Sequence, residues 1–485
     1  MALPWWQTAV FYQVYLRSFA DSDGDGVGDL RGVIERLDYL DALGVDVIWL
    51  SPVNPSPDKD FGYDVADYRS VQPAFGTLAD LDELIERCRA GGMRVVLDLV
   101  PNHTSDHHAW FQDARTSRDA RHRSYYIWAD PRPDGSPPNN WRSTFGRESA
   151  WELTPETGQM YLHSFLPEQV DLDWWNEDVR REFDEVMRFW LDRGIAGFRL
   201  DVAHAIVKDR ELRDAENEDV LVRVDLDETY AVQRRWRTLT DAYEDEPRVL
   251  LGETWETDLT KLAKFYGSGT DQLHLAFNFA FTFSPLEAPA LRDVVARTYA
   301  LLPPDAWPVW MLSNHDVERM TTRMCGGDER KIRCALLALL TLRGTAVLYQ
   351  GDEIGLEQVE IPPERVRDVA GRDGCRTPMP WTRDGGWREP WLPIGDATRN
   401  VEDEREDASS TLSFVRNVIA LRRARSDLHE GDYEAIDAPP GVWAFRRGEA
   451  TVVALNLADD AVQFDGRTLE AWSGAVSDSS GAPLI

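Results

Sequence analysis

The sequence predicts an α/β protein built on a (β/α)8 TIM barrel, with a subdomain inserted after the third strand and an antiparallel β domain at the C-terminus. Three observations carry this expectation. Short apolar, β-branched runs alternate with amphipathic stretches over most of the chain, and eight such runs can be counted. The glycine-rich phosphate loop that an open doubly wound sheet would place after its first strand is missing.

The expected strands run Val10 to Tyr15, Val45 to Leu50, Arg94 to Leu99, Gly197 to Val202, Val249 to Glu253, Gln272 to Phe277, Trp307 to Leu312 and Thr345 to Tyr349. Helices such as Leu78 to Ala90 and Asp178 to Asp192 separate them, as a closed parallel barrel requires. The spacing breaks between Thr104 and Trp174, a stretch rich in Pro, Asn, Asp, Trp and Tyr and far longer than an ordinary βα loop. Such an insertion, on the side of the barrel where chemistry is expected, reads as a subdomain walling a cleft. A second irregular stretch, Leu356 to Glu404, carries Trp381, Trp387 and Trp391 and is expected over the same face. After a helix over Leu412 to Ala424, alternation in Val442 to Arg446 and Thr451 to Leu455 marks the β domain. The expected division is a barrel over 1–103 and 175–425, an insertion over 104–174 and a C-terminal β-sandwich over 426–485.

Composition narrows the function. The chain has 485 residues, of which 43% are hydrophobic and 28% charged, enough to bury a large core. A formal net charge of −32 argues against nucleic acid or an anionic membrane surface as partner. No stretch of about 18 apolar residues or leader of signal-peptide type is seen. The four cysteines, Cys88, Cys325, Cys334 and Cys375, form no CxxC pair and read as thiols in a reducing compartment, so a cytoplasmic location is expected.

In a barrel of this type, polar side chains at the C-terminal strand ends face the active site. Four strands end that way: Asp98 to His103, Arg199 to Asp201, Gly252-Glu253 and Asn314-His315-Asp316. Glycoside hydrolysis needs paired carboxyls, one to attack or stabilise an oxocarbenium-like carbon and one to protonate the leaving oxygen. Arg199, two residues before Asp201 and on the same strand face, is expected to hold that carboxylate ionised. Glu253 follows an apolar run beside Trp255, a setting suited to a proton donor, and Asp316 with His315 is placed to grip sugar hydroxyls.

These residues carry a resemblance that spans nearly the whole chain. The sequence resembles the α-amylase superfamily, glycoside hydrolase family 13, on its α-glucosidase and oligo-1,6-glucosidase side. The matching segments are Asp98 to His103 (DLVPNH), Gly197 to His204 (GFRLDVAH), Gly252 to Thr254 (GET) and Ser313 to Asp316 (SNHD), in that order. Further matches are Gly44 to Pro52, Gly62 to Asp67, Gly344 to Gly355 and Arg376 to Trp381. The resemblance implies a retaining double displacement, with Asp201 as nucleophile, Glu253 as acid and then base, and Asp316 fixing the distorted sugar; retention places the first two carboxyls about 5 to 5.5 Å apart. It also implies that Tyr63, Asp64, His103, Arg199 and His315 line the subsite of the glucose being cleaved and that Arg372 pairs with Asp64 to close it; separately, aromatic residues near Phe145 are expected to border the leaving-group side. Gln169 to Asp173 (QVDLD) is similar to the QPDLN segment of oligo-1,6-glucosidases, with Val and Asp in place of Pro and Asn. Val202 is the residue type that in such relatives goes with α-1,6 linkages.

Asp21 to Asp29 (DSDGDGVGD) alternates carboxylates with glycines as an EF-hand-type Ca2+ loop does, although Gly32 stands where the bidentate Glu would be. Relatives hold structural Ca2+, or occasionally Mg2+, in a similar loop, which implies Asp21, Asp23, Asp25, the Val27 carbonyl and Asp29 as ligands here. No organic cofactor is expected. The substrate expected is a small α-glucoside or oligosaccharide cut from its end. A transglucosylase or isomerase of trehalose-synthase type is the alternative, because water and sugar compete for one glucosyl intermediate. A non-catalytic scaffold like the transporter heavy chains is a reading from another class. Oligomeric state, linkage and physiological sugar are not legible.

Overall fold

A computed structural model describes residues 3–146, 148–215, 226–244 and 246–485; residues 216–225 of the expected barrel span lie outside the described residues. Eight parallel strands form the barrel: β1 (Val10–Val14), β2 (Val47–Leu50), β3 (Arg94–Leu99), β4 (Gly197–Leu200), β5 (Val249–Gly252), β6 (Leu275–Ala276), β7 (Val309–Met311) and β8 (Thr345–Tyr349). They pair in ring order, with β1 between β2 and β8. A single parallel bridge, Phe277 to Val309, joins β6 to β7 and nearly closes the ring.

Strand alternation divides the apolar residues into two layers. Phe11, Val47, Trp49, Val96, Val249, Leu251, Leu275, Phe277, Val309, Met311 and Val347 form one cluster inside the barrel. Their neighbours, such as Tyr12, Ile48, Leu97, Phe198, Leu250 and Leu348, belong to a second cluster that meets the surrounding helices. The inward register, carried toward the C-terminal ends, turns polar. It runs through Gln13 on β1, Asp98 on β3, Arg199 on β4 and Asp201 just after it, and Glu253 after β5, all buried. The site therefore grows from the same alternation that fills the barrel. Gly197, which opens β4, has φ +149, and a Cβ there would stand 2.0 Å from the Val249 carbonyl, so glycine permits the approach of β4 to β5.

The helix over Leu78–Ala90 starts at a capping box made by Thr77 and Asp80, and the helix over Glu177–Asp192 starts at Asn176. The insertion begins and ends in a two-stranded antiparallel ribbon, with His103 opposite Asp171 and Ser105 opposite Gln169. Beyond it lies a three-stranded sheet of Trp128–Ala129, Gln159–Leu162 and Trp151–Thr154. Buried Lys208 fastens the insertion to the barrel. Its ammonium donates to Asn102 Oδ1 at 2.5 Å and the Ala205 carbonyl at 2.6 Å, and lies 3.2 Å from Asp171 Oδ2.

The C-terminal domain is an antiparallel sheet of β9 (Tyr433–Ile436), β10 (Val442–Arg447), β11 (Thr451–Asn456) and β12 (Ser473–Asp478). Trp443, Phe445, Val453, Leu455 and Val476 join the outer core of the barrel, while Val442, Ala444, Ala454 and Leu469 cluster with a hairpin of Val462–Phe464 and Arg467–Leu469. No helix among the described residues is long and apolar enough to cross a membrane.

Candidate active site

At the C-terminal mouth of the barrel, a pocket of about 270 Å3 is lined by Asp60, Tyr63, His103, Phe145, Phe165, Gln169, Asp201, Val202, Glu253, Trp255, Asp316 and Arg372, among others. It is at the small end of ligand pockets, the size class of one or two sugar rings rather than a long glucan. A larger cavity of about 560 Å3 lies beside the insertion but gathers none of the strand-end carboxyls. The smaller pocket is the one with chemistry in it.

Arg199 organises its floor. Nη1 donates to Asp201 Oδ1 at 2.8 Å and to Asp98 Oδ1 at 2.7 Å. Nη2 lies 2.9 Å from Glu253 Oε2, a charge contact without hydrogen-bond alignment. One guanidinium thus touches both carboxyls that the chemistry needs, and they face a common space. Glu253 Oε2 also accepts the Val202 N–H at 3.0 Å. Val202 reaches that acceptor through a left-handed backbone, φ +47, which is an unfavourable conformation for a β-branched residue.

The electrostatics differ from the sequence expectation at Asp201. Burial pushes its pKa well above the ordinary aspartate value; Arg199 opposes this, and the negative charges of Glu253, Asp98 and Asp316 reinforce it. Arg199 offsets only part of this push, because it is shared among three acids. Burial likewise raises Asp98, to about 6, against the pull of Arg199 and Tyr63. Asp316 behaves in the opposite way: burial raises it, but His315, Arg372 and Arg376 together hold it far below the usual range. Arg376 Nη2 donates to Asp316 Oδ1 at 2.8 Å and Arg372 Nη1 at 3.0 Å. A permanently ionised acceptor suits sugar hydroxyls whose acidity grows as positive charge develops.

Several expected lining residues require correction. Asp64 is fully buried and outside the pocket. Its carboxylate is consumed locally by the Ser56 hydroxyl and the backbone N–H groups of Lys59 and Asp60. The partner of Arg372 is instead Asp60, whose Oδ1 accepts Nη2 at 2.5 Å. Arg199 and His315 are also fully buried and lie beneath the lining rather than in it. Tyr63, His103, Val202, Phe145 and Arg372 do line the pocket.

Residues for which the sequence reading expected no role in the pocket complete the wall. Gln169 Nε2 donates to Asp60 Oδ2 at 2.9 Å and is 3.0 Å from His103 Nε2, which ties the insertion ribbon to the turn that carries Asp60. Phe165 packs on Phe145, with ring centroids 5.2 Å apart, and the Arg372 guanidinium sits 4.8 Å from the Phe145 ring. Asp60, three residues before Tyr63, was the nearest to legible, since it belongs to the same turn. On the open side Trp255 is 47% exposed and packs on Phe279 at 4.4 Å, giving an aromatic rim next to Glu253.

In the acidic loop after β1, the carboxylates of Asp21, Asp23 and Asp29 offer oxygens within 4.8 Å of one another. Asp25 is not part of that group; it is exposed, and its Oδ1 accepts the Val27 N–H at 2.8 Å.

The profile of the alpha amylase catalytic domain matches residues 13–431. The chain belongs to the α-amylase family. Among its relatives, the probable alpha-glucosidase of Rhizobium meliloti (strain 1021) is 39% identical over 94% of this chain and 90% of its own length. The oligo-1,6-glucosidase of Heyndrickxia coagulans is 35% identical over 95% of this chain and 93% of its own. A crystal structure of an alpha-glucosyl transfer enzyme superposes with a TM-score of 0.92 at 38% identity, covering 98% of this chain and all of that one. This α-amylase family member is accordingly a glycoside hydrolase, and the relatives place it among the glucosidases of the family.

Proposed function

We propose that the protein is a retaining, exo-acting α-glucosidase that releases terminal α-linked glucose from short oligosaccharides or α-glucosides. The observation that carries this reading is the bridging of Asp201 and Glu253 by Arg199 at the floor of a pocket whose far end is closed by Arg372 and Asp60. A closed end admits a chain terminus and refuses a chain middle.

In this mechanism ionised Asp201 attacks the anomeric carbon while the bond to the leaving oxygen breaks and that oxygen takes the Glu253 proton. Asp316 holds ring hydroxyls through the oxocarbenium-like stage. Water then enters, Glu253 removes its proton, and attack at the anomeric carbon releases Asp201 and α-glucose. Product NMR on a panel of α-linked disaccharides tests the reading: glucose should appear first as the α-anomer. Asp201→Asn should lower turnover by about 10^4-fold or more with the fold intact. Wild-type enzyme that frees no glucose from maltose, isomaltose, sucrose or an aryl α-glucoside would remove the proposal.

Transfer to a sugar acceptor is the second reading, favoured by the exposed Trp255 face beside Glu253 and by the likeness to a glucosyl transfer enzyme. An acceptor lying on that face would compete with water for the same intermediate. The acidic loop is proposed to hold Ca2+, or Mg2+, remote from catalysis. Three converging carboxylates suit a hard cation. Asp21, Asp23, Asp29 and the Val27 carbonyl would bind it, and its contribution is structural. All four cysteines are buried free thiols, which supports a cytoplasmic setting.

A further inference from the structure

Beneath the pocket, His315 is enclosed on every side. Its ring lies parallel to Tyr63 at 5.2 Å and to Tyr15 at 5.6 Å, with the Trp49 edge at 6.3 Å. Its backbone carbonyl accepts Arg376 Nε at 2.8 Å. Burial holds its pKa well below the ordinary value, with Arg376, Arg199 and Arg372 adding to this and Asp316 opposing it, so the ring is neutral and carries one proton. Which nitrogen carries that proton decides what the ring can do for Tyr63 and Asp316.

The hydrogen-bond directions can be followed from one end. Asp98 Oδ1 is held by Arg199, and its Oδ2 accepts the Tyr63 hydroxyl at 2.9 Å. The Tyr63 proton is therefore spent, and its oxygen, 2.5 Å from His315 Nε2, must accept from that nitrogen. Nε2 also lies 3.1 Å from Asp316 Oδ2, a close charge contact without hydrogen-bond alignment. With its proton on Nε2, the ring has a lone pair on Nδ1, and the group 2.7 Å away is the Gln13 amide Nε2, a donor. Gln13 Oε1, for which that chain of directions leaves no role, has no hydrogen-bond partner among the described residues. Gln13 is fully buried at the end of β1, and no sugar reaches it.

We propose that Gln13 is a positioning residue that fixes the buried His315 in its Nε2–H tautomer, so that Tyr63 and Asp316 both face its N–H. This rests on the glucosidase reading for its catalytic consequence, but not for the tautomer itself. In the opposite tautomer Nε2 would present a lone pair to the Asp316 carboxylate and to a tyrosine oxygen with no proton to give. Asp316 would be repelled from the place where it grips the sugar.

The test uses full-length protein labelled with 15N-histidine, with no substrate present. Long-range 1H–15N spectra should show one neutral, Nε2-protonated ring that disappears in His315→Gln. Gln13→Glu, which is isosteric but can only accept, should convert that ring to a form protonated at Nδ1. In the same variant kcat should fall about 10- to 100-fold while KM moves less than about threefold, because the grip on the distorted sugar is lost rather than ground-state binding. Gln13→Leu should give the same kinetic split without the Nδ1 proton. A wild-type His315 protonated at Nδ1, or an unchanged ring in Gln13→Glu, overturns the proposal; the wild-type spectrum decides even if a variant does not fold. A wild type that shows the Nε2–H ring yet frees no glucose would leave the tautomer standing and remove the glucosidase reading alone.

Discussion

Arg372 and Asp60, 312 residues apart in sequence, meet at 2.5 Å and close one end of the pocket, while Arg372 also reaches Asp316 at 3.0 Å. The residue proposed to bind a terminal sugar and the residue proposed to stabilise its distorted form therefore share one cation.

Neutralising Asp60 should weaken both functions. Asp60→Asn is expected to lower kcat/KM for disaccharides by about 10- to 100-fold, mostly through KM. Asp64→Asn, four residues away, should leave KM close to wild type and instead lower Tm by roughly 2 to 4 °C, since Asp64 serves only the local turn. Steady-state kinetics and thermal melts on the two variants separate the roles; the reverse assignment would restore Asp64 to the pocket.

The acidic side of the pH profile should report Asp201. The nucleophile acts only when ionised, and its raised pKa means that the ionised fraction falls as pH drops through that raised value. The acidic limb of kcat/KM is expected above the ordinary aspartate range. Asp98→Asn removes a like charge that raises Asp201, and frees Arg199 for it, so the limb should move to lower pH even though the rate declines. A limb that stays in place or rises contradicts this account of the cluster.

Chelation should act on stability and not on chemistry. With excess chelator Tm is expected to fall by several degrees while kcat/KM at 25 °C stays within about twofold, as follows when a ligand binds only the folded state. Elemental analysis of the purified protein should show about one divalent cation per chain. A metal-free protein with an unchanged Tm would mean that the acidic loop is merely a solvated turn.

Val202 offers a test of linkage choice. Its side chain lines the pocket beside the nucleophile, in a strained left-handed backbone. Val202→Ala should shift the isomaltose-to-maltose ratio of kcat/KM toward maltose by about fivefold, corresponding to about 1 kcal/mol of apolar discrimination. A ratio unmoved within error would show that linkage is read elsewhere, with Trp255 the next residue to change.

Much of this architecture was legible in the residues. The barrel strands announced themselves as short apolar runs between amphipathic stretches, and the structure buries them on both faces, as parallel strands under helices require. Asp201, Glu253 and Asp316 were legible because a carboxyl at the end of a buried strand is costly unless it has work there. The depth of Arg199 and His315 was not legible, since strand alternation gives the face of a residue but not how far it lies below the pocket surface. Asp60 was hidden by Asp64: both stand near Tyr63, and only the fold of the turn shows which carboxylate is used up by neighbouring N–H groups. Gln169 and Phe165 come from an irregular insertion, where no periodicity predicts which side chain turns toward the barrel.

The lone bridge between Phe277 and Val309 makes one sector of the ring less firmly laced than the other seven. That sector leads directly into Phe279, against which Trp255 rests. Backbone amides there should exchange with solvent earlier than those of β1 or β8, and the entrance on the leaving-group side can widen without disturbing the charged floor. Engineering aimed at bulkier aglycones has most freedom along this seam.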